Sequence, residues 1–132
     1  MIIVLDASLA PRLARALHLL WQPDHEVRHV RDVLGNDASD QNQVDYLSAT
    51  DGSMLVGMDL DVTGNPHRMA ALQSYKRPVF LLSRTWLDLS MDDQGWLLAY
   101  WIPRLINKVS ATSTPGLYLI PPSTSGRPRK AQ

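Results

Sequence analysis

Four aspartates, Asp6, Asp40, Asp59 and Asp61, occupy the positions in this chain where chemistry is most readily built. Asp6 ends the apolar run IIVL (2–5), Asp59 and Asp61 close the run SMLVGM (53–58) in the segment MDLD, and Asp40 opens a helix that leads toward that third strand. Carboxylates brought to one edge repel one another in a partly desolvated site, so a cluster of them makes physical sense chiefly when a divalent cation sits among them. Acids without a histidine or thiolate partner select a hard ion, Mg²⁺ or Mn²⁺. Two such ions ~4 Å apart would clamp the attacking and leaving oxygens of a phosphodiester, and one would activate water. The plainer alternative is that each acid serves local structure. An Asp after a strand is a common turn residue or cap, Asp40 suits a helix's first turn through the dipole, and Asp61 begins the turn that TGNP completes.

The elements that must position these acids follow from the apolar pattern. IIVL is a short continuous run rich in branched residues, as expected of a strand buried on both faces. Ser8 is placed to cap a helix from Leu9 to Trp21, with Pro11 tolerated in its first turn and Leu13, Leu17 and Leu20 on one side. HEVRHVRDV (25–33) reads as a second strand, and LGNDAS breaks the chain after it. Ser39 caps a helix through Thr50, on which Val44 and Leu47 face inward. SMLVGM is the third strand, His67 to Tyr75 a short helix, and PVFLL (78–82) a fourth strand with Pro78 at its first position, where no ladder donor is lost. A long helix from Ser90 to Ser110 follows, kinked at Pro103, and GLYLI forms a last edge strand. Strands separated by helices predict a mainly parallel sheet with right-handed crossovers. In such a sheet ligands bind beyond the carboxyl ends of the strands, which is where the acids recur.

Composition narrows the classes. The chain has 132 residues and 45% hydrophobic content, enough for one core, and PPSTSGRPRKAQ (residues 121–132) reads as a disordered basic tail from residue 122. Thirteen basic residues balance thirteen acidic ones, so no global field draws the protein to a polyanion, and contact with nucleic acid must use local patches. The absence of cysteine excludes disulfides, thiolate metal sites and a cysteine nucleophile. No run approaches the ~20 apolar residues of a membrane span, and the apolar start is too short and too early interrupted for a signal peptide, so a cytoplasmic protein without membrane contact is expected. His18, His25, His29 and His67 form no zinc motif, and His25 and His29 read as edge or partly buried residues. Arg12 and Arg15, with Arg28 and Arg31, are candidates for a phosphate path or solvated surface charges. Trp96, Tyr100 and Trp101 offer a stacking platform for bases or, at helical spacing beside Leu97, Leu98 and Leu105, part of the core or a dimer face.

Three motifs carry a family resemblance. The first is the opening DASLAPRL, with Asp6, Ser8, Leu9, Pro11 and Leu13. The second is the pair Ser39 and Asp40 at the start of the middle helix, and the third is Asp59 closing a strand ahead of an NP-H segment. With the order of elements around them they resemble the small PIN-like proteins related to VapC toxins, over roughly residues 1 to 120. The resemblance implies a three-layer α/β PIN-like domain over residues 1–121, its mainly parallel sheet of four to five strands flanked by helices. It also implies a Mg²⁺- or Mn²⁺-dependent endoribonuclease cutting RNA, with Asp6, Asp40 and Asp59 as catalytic metal ligands and Asp61 as a fourth. Ser8 and Arg12 are the residues expected to meet substrate. A toxin of a type II toxin–antitoxin pair is implied as well, with an antitoxin protein and a second copy of the chain as candidate partners. Many relatives carry Thr or Ser two residues before the third acid, where this chain has Gly57, so the hydroxyl that supports the metal shell is missing there. The alternative is a PIN-like module that binds RNA or a protein partner without cutting.

Overall fold

The computed structural model describes residues 1–37, 39–50, 53–58, 65–111 and 116–131, with Asp40, Ser110, Ala111 and Ala131 described by their backbone. Along the chain run β1 (Ile2–Leu5), α1 (Pro11–Trp21), β2 (Glu26–His29), α2 (Val30–Leu34), α3 (Asp40–Ser48) and β3 (Ser53–Met58). They are followed by α4 (Pro66–Gln73), β4 (Pro78–Leu82), a 3-10 turn (Arg84–Asp88), α5 (Met91–Ala111), β5 (Gly116–Ile120) and β6 (Arg129–Ala131). The strands form one six-stranded sheet in the order β2-β1-β3-β4-β5-β6. All neighbours are parallel except β6, which runs antiparallel to β5.

The continuous apolar runs are the reason for the three layers, because a strand with no polar face must be covered on both sides. Ile3, Leu5, Met54, Val56, Phe80 and Leu82 pack under α1 and α5. Val4, Leu55, Val79 and Leu81 alternate with them and pack under Val44 and Leu47 of α3 and Leu72 of α4. At the amino edge, the buried Ser53 hydroxyl donates to Leu47 O at 3.0 Å, and Tyr75 donates to Ser53 O at 2.7 Å. These bonds satisfy polar groups that would otherwise be costly in the core. The order of strands matters most for function: α1 carries the chain from β1 to β2 over one face, and α2 and α3 carry it back to β3 over the other. The gap between β1 and β3 is therefore the switch point where such sheets open a cleft at their carboxyl edge.

Several expectations are corrected. The sheet has six strands rather than four to five, because residues 129–131 pair with β5, Leu119 opposite Arg129 and Leu117 opposite Ala131. GLYLI is thereby an interior strand, and the stretch read as a tail pairs with it. It is held by its backbone: Trp101 Nε1 donates to Ser123 O at 3.0 Å and the Tyr100 hydroxyl to Thr124 O at 3.1 Å. The tail contributes backbone rather than apolar side chains, which is why a reading by composition overlooked it. Trp101 is accordingly core, 4% exposed, not a platform for bases, whereas Trp96 is 53% exposed. The second strand is shorter than 25–33, since His29 caps α2 by accepting from Arg31 N and turns the chain. Ser8 does not cap the first helix: α1 begins at Pro11 with Ala10 before it. Ser39 and Ser90 do accept from the backbone N–H three residues on, at Asn42 and Asp93. Helix α5 runs through Pro103 as one element.

Truncation after Pro122 tests the tail. Removing Ser123 onward takes away the β5–β6 ladder and both aromatic-to-backbone bonds, and it uncovers the β5 edge. The expected cost is about 1–2 kcal/mol. For a domain of this size that is a fall in Tm of roughly 3–10 °C. An unchanged Tm in a thermal melt would mean that the tail contributes nothing to the fold.

Candidate active site

Asp6 follows β1 at the switch point and is 9% exposed. Its N–H donates to Val56 O at 3.0 Å, continuing the β1–β3 ladder by one residue, so its side chain falls on the α3 side of the sheet. Oδ1 accepts from Ser8 N–H at 2.8 Å and from the Ser8 hydroxyl, and that hydroxyl accepts in turn from Met58 N–H at 3.3 Å. The first of these bonds is an Asx turn, the local role any Asp at a strand end can play. The remainder is not local, because Ser8 joins the carboxylate to the end of β3, one residue before Asp59.

Gly57 explains how the carboxylate fits. A Cβ built on Gly57 would stand 2.7 Å from the Asp6 carboxyl carbon and 3.3 Å from its Cβ. Any side chain at this position would take the space the carboxylate occupies. The sequence alone casts Gly57 as the loss of a hydroxyl. The structure gives it a different meaning: the residue is small so that Asp6 can lie on β3, and a hydroxyl is supplied there from Ser8.

His29 fixes the loop that carries Ser8. It is 1% exposed, fully buried although it ends the sheet's edge strand β2. Its Nδ1 accepts from Arg31 N–H at 3.1 Å, so the ring proton is on Nε2, which donates to Leu9 O at 2.7 Å. The signal in the sequence was its place at the end of a strand, where a ring can bridge to the neighbouring loop.

A cleft of about 430 Å³ opens beside Asp6, lined by Ala7, Arg31, Gly35, Asn36, Asp37 and Ser39. It is flanked along the chain by Asp6 on one side and Asp40 on the other. Asp40 is the first residue of α3, whose amino end lies at the carboxyl edge of the sheet because the helix connects the end of β2 to the start of β3. Asp59 and Asp61 lie outside the described residues. Among the described residues no group of three or more His, Cys, Asp or Glu is placed to hold a metal ion. Asp37 lines the cleft and was not singled out from the sequence.

The arginines divide differently from the sequence reading. Arg31, exposed on α2, lines the cleft beside Asp6. Arg12 is exposed and lines a separate cleft of about 550 Å³ between α1 and the start of α5, together with Asp92. Arg28 donates to Tyr46 at 2.6 Å and to Glu26 at 2.8 Å. The hydrogen bond from Arg28 holds the Glu26 carboxyl below its usual range. That guanidinium therefore braces β2 against α3.

A doubly wound α/β domain with a buried carboxylate at its switch point defines a class of proteins that work at the carboxyl edge of a parallel sheet. The chain belongs to the PIN-like domain family: a family model described as PIN-like domain matches residues 1–84. That span includes β1 to β4 and all four aspartates read from the sequence. PIN domains are generally nucleases, and membership of the family suggests a nuclease-type module. No curated protein and no solved structure matches the chain. Among the described residues no helix is long and apolar enough to cross a membrane.

Proposed function

We propose that this protein is a metal-dependent endoribonuclease whose centre lies at the β1–β3 switch point. The observation that carries the reading is the buried Asp6 carboxylate, laid on Gly57 and braced by Ser8 one residue before Asp59. A residue serving only a turn needs no glycine on the neighbouring strand. The donor chemistry fits a hard divalent cation, since the Asp6 carboxylate and the Ser8 hydroxyl at this edge offer oxygen donors. Asp6, Asp40 and Asp59 would hold Mg²⁺ or Mn²⁺, with Asp61 as a further ligand. When bound, such an ion supplies charge stabilisation at the phosphodiester and acidifies water.

The chain's own residues account for the rest. Ser8 holds Asp6 in one rotamer through its N–H and hydroxyl, and His29 holds the Ser8 loop by its bond to Leu9 O. Such bracing keeps a reactive constellation within the tolerance catalysis needs. Arg31, in the cleft beside Asp6, takes the phosphate-guiding role that the sequence suggested for Arg12. The reading extends to the toxin of a type II toxin–antitoxin pair in the cytoplasm, with RNA as substrate and an antitoxin protein as partner.

The test is cleavage of a labelled single-stranded RNA. With Mn²⁺ or Mg²⁺ the protein is expected to cut it, excess EDTA to stop the reaction, and Asp59→Asn to lose most of the activity while its melting curve stays that of a folded protein. Cleavage undiminished in EDTA would overturn the reading.

A further inference from the structure

We propose that the tail and the carboxyl ends of β4 and β5 build a second, purely binding site, which seats a backbone phosphate of single-stranded RNA. A cleft of about 330 Å³ lies there, lined by Ser83, Thr85, Pro121, Arg127 and Arg129 among others. It offers two guanidinium groups and two hydroxyls, and among the described residues no carboxylate lines it. Guanidinium forks match phosphate oxygens bidentately, and hydroxyls complete such a site as donors.

The site is built rather than incidental. Arg129 is set in β6 opposite Leu119, and the turn leading to it is tied to α5 through Trp101 and Tyr100. Ser83 N–H donates to Ile120 O at 3.2 Å, and the Ser83 and Thr85 hydroxyls are 2.9 Å apart. Most of the cleft therefore comes from residues beyond the 1–84 span of the family match. The charge pattern points the same way. All thirteen acids of the chain lie at or before Asp93, while Arg104, Lys108, Arg127, Arg129 and Lys130 give the remainder five basic residues and no acid. A neutral protein thus carries a basic flank on the side of the sheet where the tail pairs.

Its position suits the same substrate. Asp6 is in register with Gly57, and Met58 with Leu82, so Ser83 lies at the same edge of the sheet as Asp6. The two are separated by two strand spacings, about 10 Å. The arginines lie on and before β6, two strands further out, so they stand four strand spacings from the acids, about 19 Å. Several nucleotides of single-stranded RNA span that distance, with one phosphate at the acids and another at the arginines. Proteins that bind single strands combine such a basic track with few base-specific contacts.

This inference rests on the nuclease reading for its substrate, and its test separates the two. In a cleavage-deficient Asp59→Asn background, fluorescence anisotropy follows binding of a labelled oligoribonucleotide against salt. Arg127→Gln with Arg129→Gln is expected to weaken binding at least tenfold. It should also flatten the log–log salt dependence by about 0.7 for each phosphate that is no longer neutralised. Lysine at both positions should restore most of the slope, because the charge returns. The charge-matched pair Lys76→Gln and Arg77→Gln, which precedes β4 at the opposite edge, should leave both quantities unchanged. Binding by the arginine variant equal to the parent's, or an equal loss in the Lys76 and Arg77 variant, overturns the site. A wild-type chain that cuts RNA yet is indifferent to these arginines fails the site alone. One that binds through them and never cuts fails the nuclease reading alone.

Discussion

An alanine at position 57 should lower both the stability of the fold and its Mn²⁺-dependent cleavage, against the usual trend for glycine in a strand. Replacing a strand glycine by alanine ordinarily gains about 0.5–1 kcal/mol, because the unfolded chain loses freedom. Gly57 lies in the middle of the sheet, in register with Asp6 on one side and Leu81 on the other, and its backbone is not in the left-handed region. The obstacle is steric and has one source. The new methyl group would stand 2.7 Å from the Asp6 carboxyl carbon, so the carboxylate must rotate away and give up its bonds from Ser8. Overpacking of this kind costs about 1–3 kcal/mol. Cleavage should fall along with it, since Asp6 leaves the position that the proposed centre requires. A double-mutant cycle isolates the cause. With Asp6→Ala already in place only the 3.3 Å approach to the Cβ at position 6 remains. The cost of Gly57→Ala should then shrink by about 1 kcal/mol or more, an interaction energy typical of residues that touch. Strict additivity in urea denaturation would show that Gly57 and Asp6 do not depend on each other.

The parts of this protein legible in its sequence were those carried by side chains with a period. IIVL, SMLVGM and PVFLL declared buried strands because nothing polar interrupts them, and Ser39 and Ser90 declared helix starts because their hydroxyls satisfy orphan N–H groups. What escaped was carried by the backbone or by distance along the chain. Strand β6 has no apolar signal, and it exists because β5 offers an unpaired edge to a tail already tied down by Trp101 and Tyr100. Ser8 looked like a cap because capping is the commonest local use of serine, yet its hydroxyl reaches fifty residues away to Met58. Gly57 looked like a loss because a sequence shows what a position lacks, and only the packing of β1 on β3 shows what a small residue makes room for. The acids were legible as a recurring position at one edge. The setting of Asp6 was not, because which strands become neighbours depends on the order β2-β1-β3, and no single run encodes it.

Removing the charge at Asp6 should abolish the stabilisation by metal expected of the wild-type protein, and this separates a ligand from a turn residue without any substrate. Asparagine has nearly the same shape, and its Oδ1 can still accept from Ser8 N–H and the Ser8 hydroxyl, so the Asx turn survives the substitution. If the carboxylate serves only that turn, Asp6→Asn is close to neutral and Mn²⁺ treats both proteins alike. If it shares a centre with Asp40 and Asp59, the apo wild type holds like charges together, and the variant should melt higher by something like ~1 kcal/mol, as is common when strain at a functional site is relieved. Mn²⁺ then acts in the opposite sense. A ligand that binds only the folded state stabilises it by mass action, ~2.7 kcal/mol at a hundredfold excess over its dissociation constant. The variant, short of one anionic oxygen donor, should gain far less, so the order of the two melting temperatures inverts between apo and saturating Mn²⁺. Equal shifts on adding Mn²⁺ would remove Asp6 from the set of ligands, whatever the protein does to RNA. Ser8→Ala supplies the intermediate case. It keeps the charge but frees the carboxylate from its link to Met58 N–H, and should therefore bind Mn²⁺ more weakly than wild type and more tightly than Asp6→Asn.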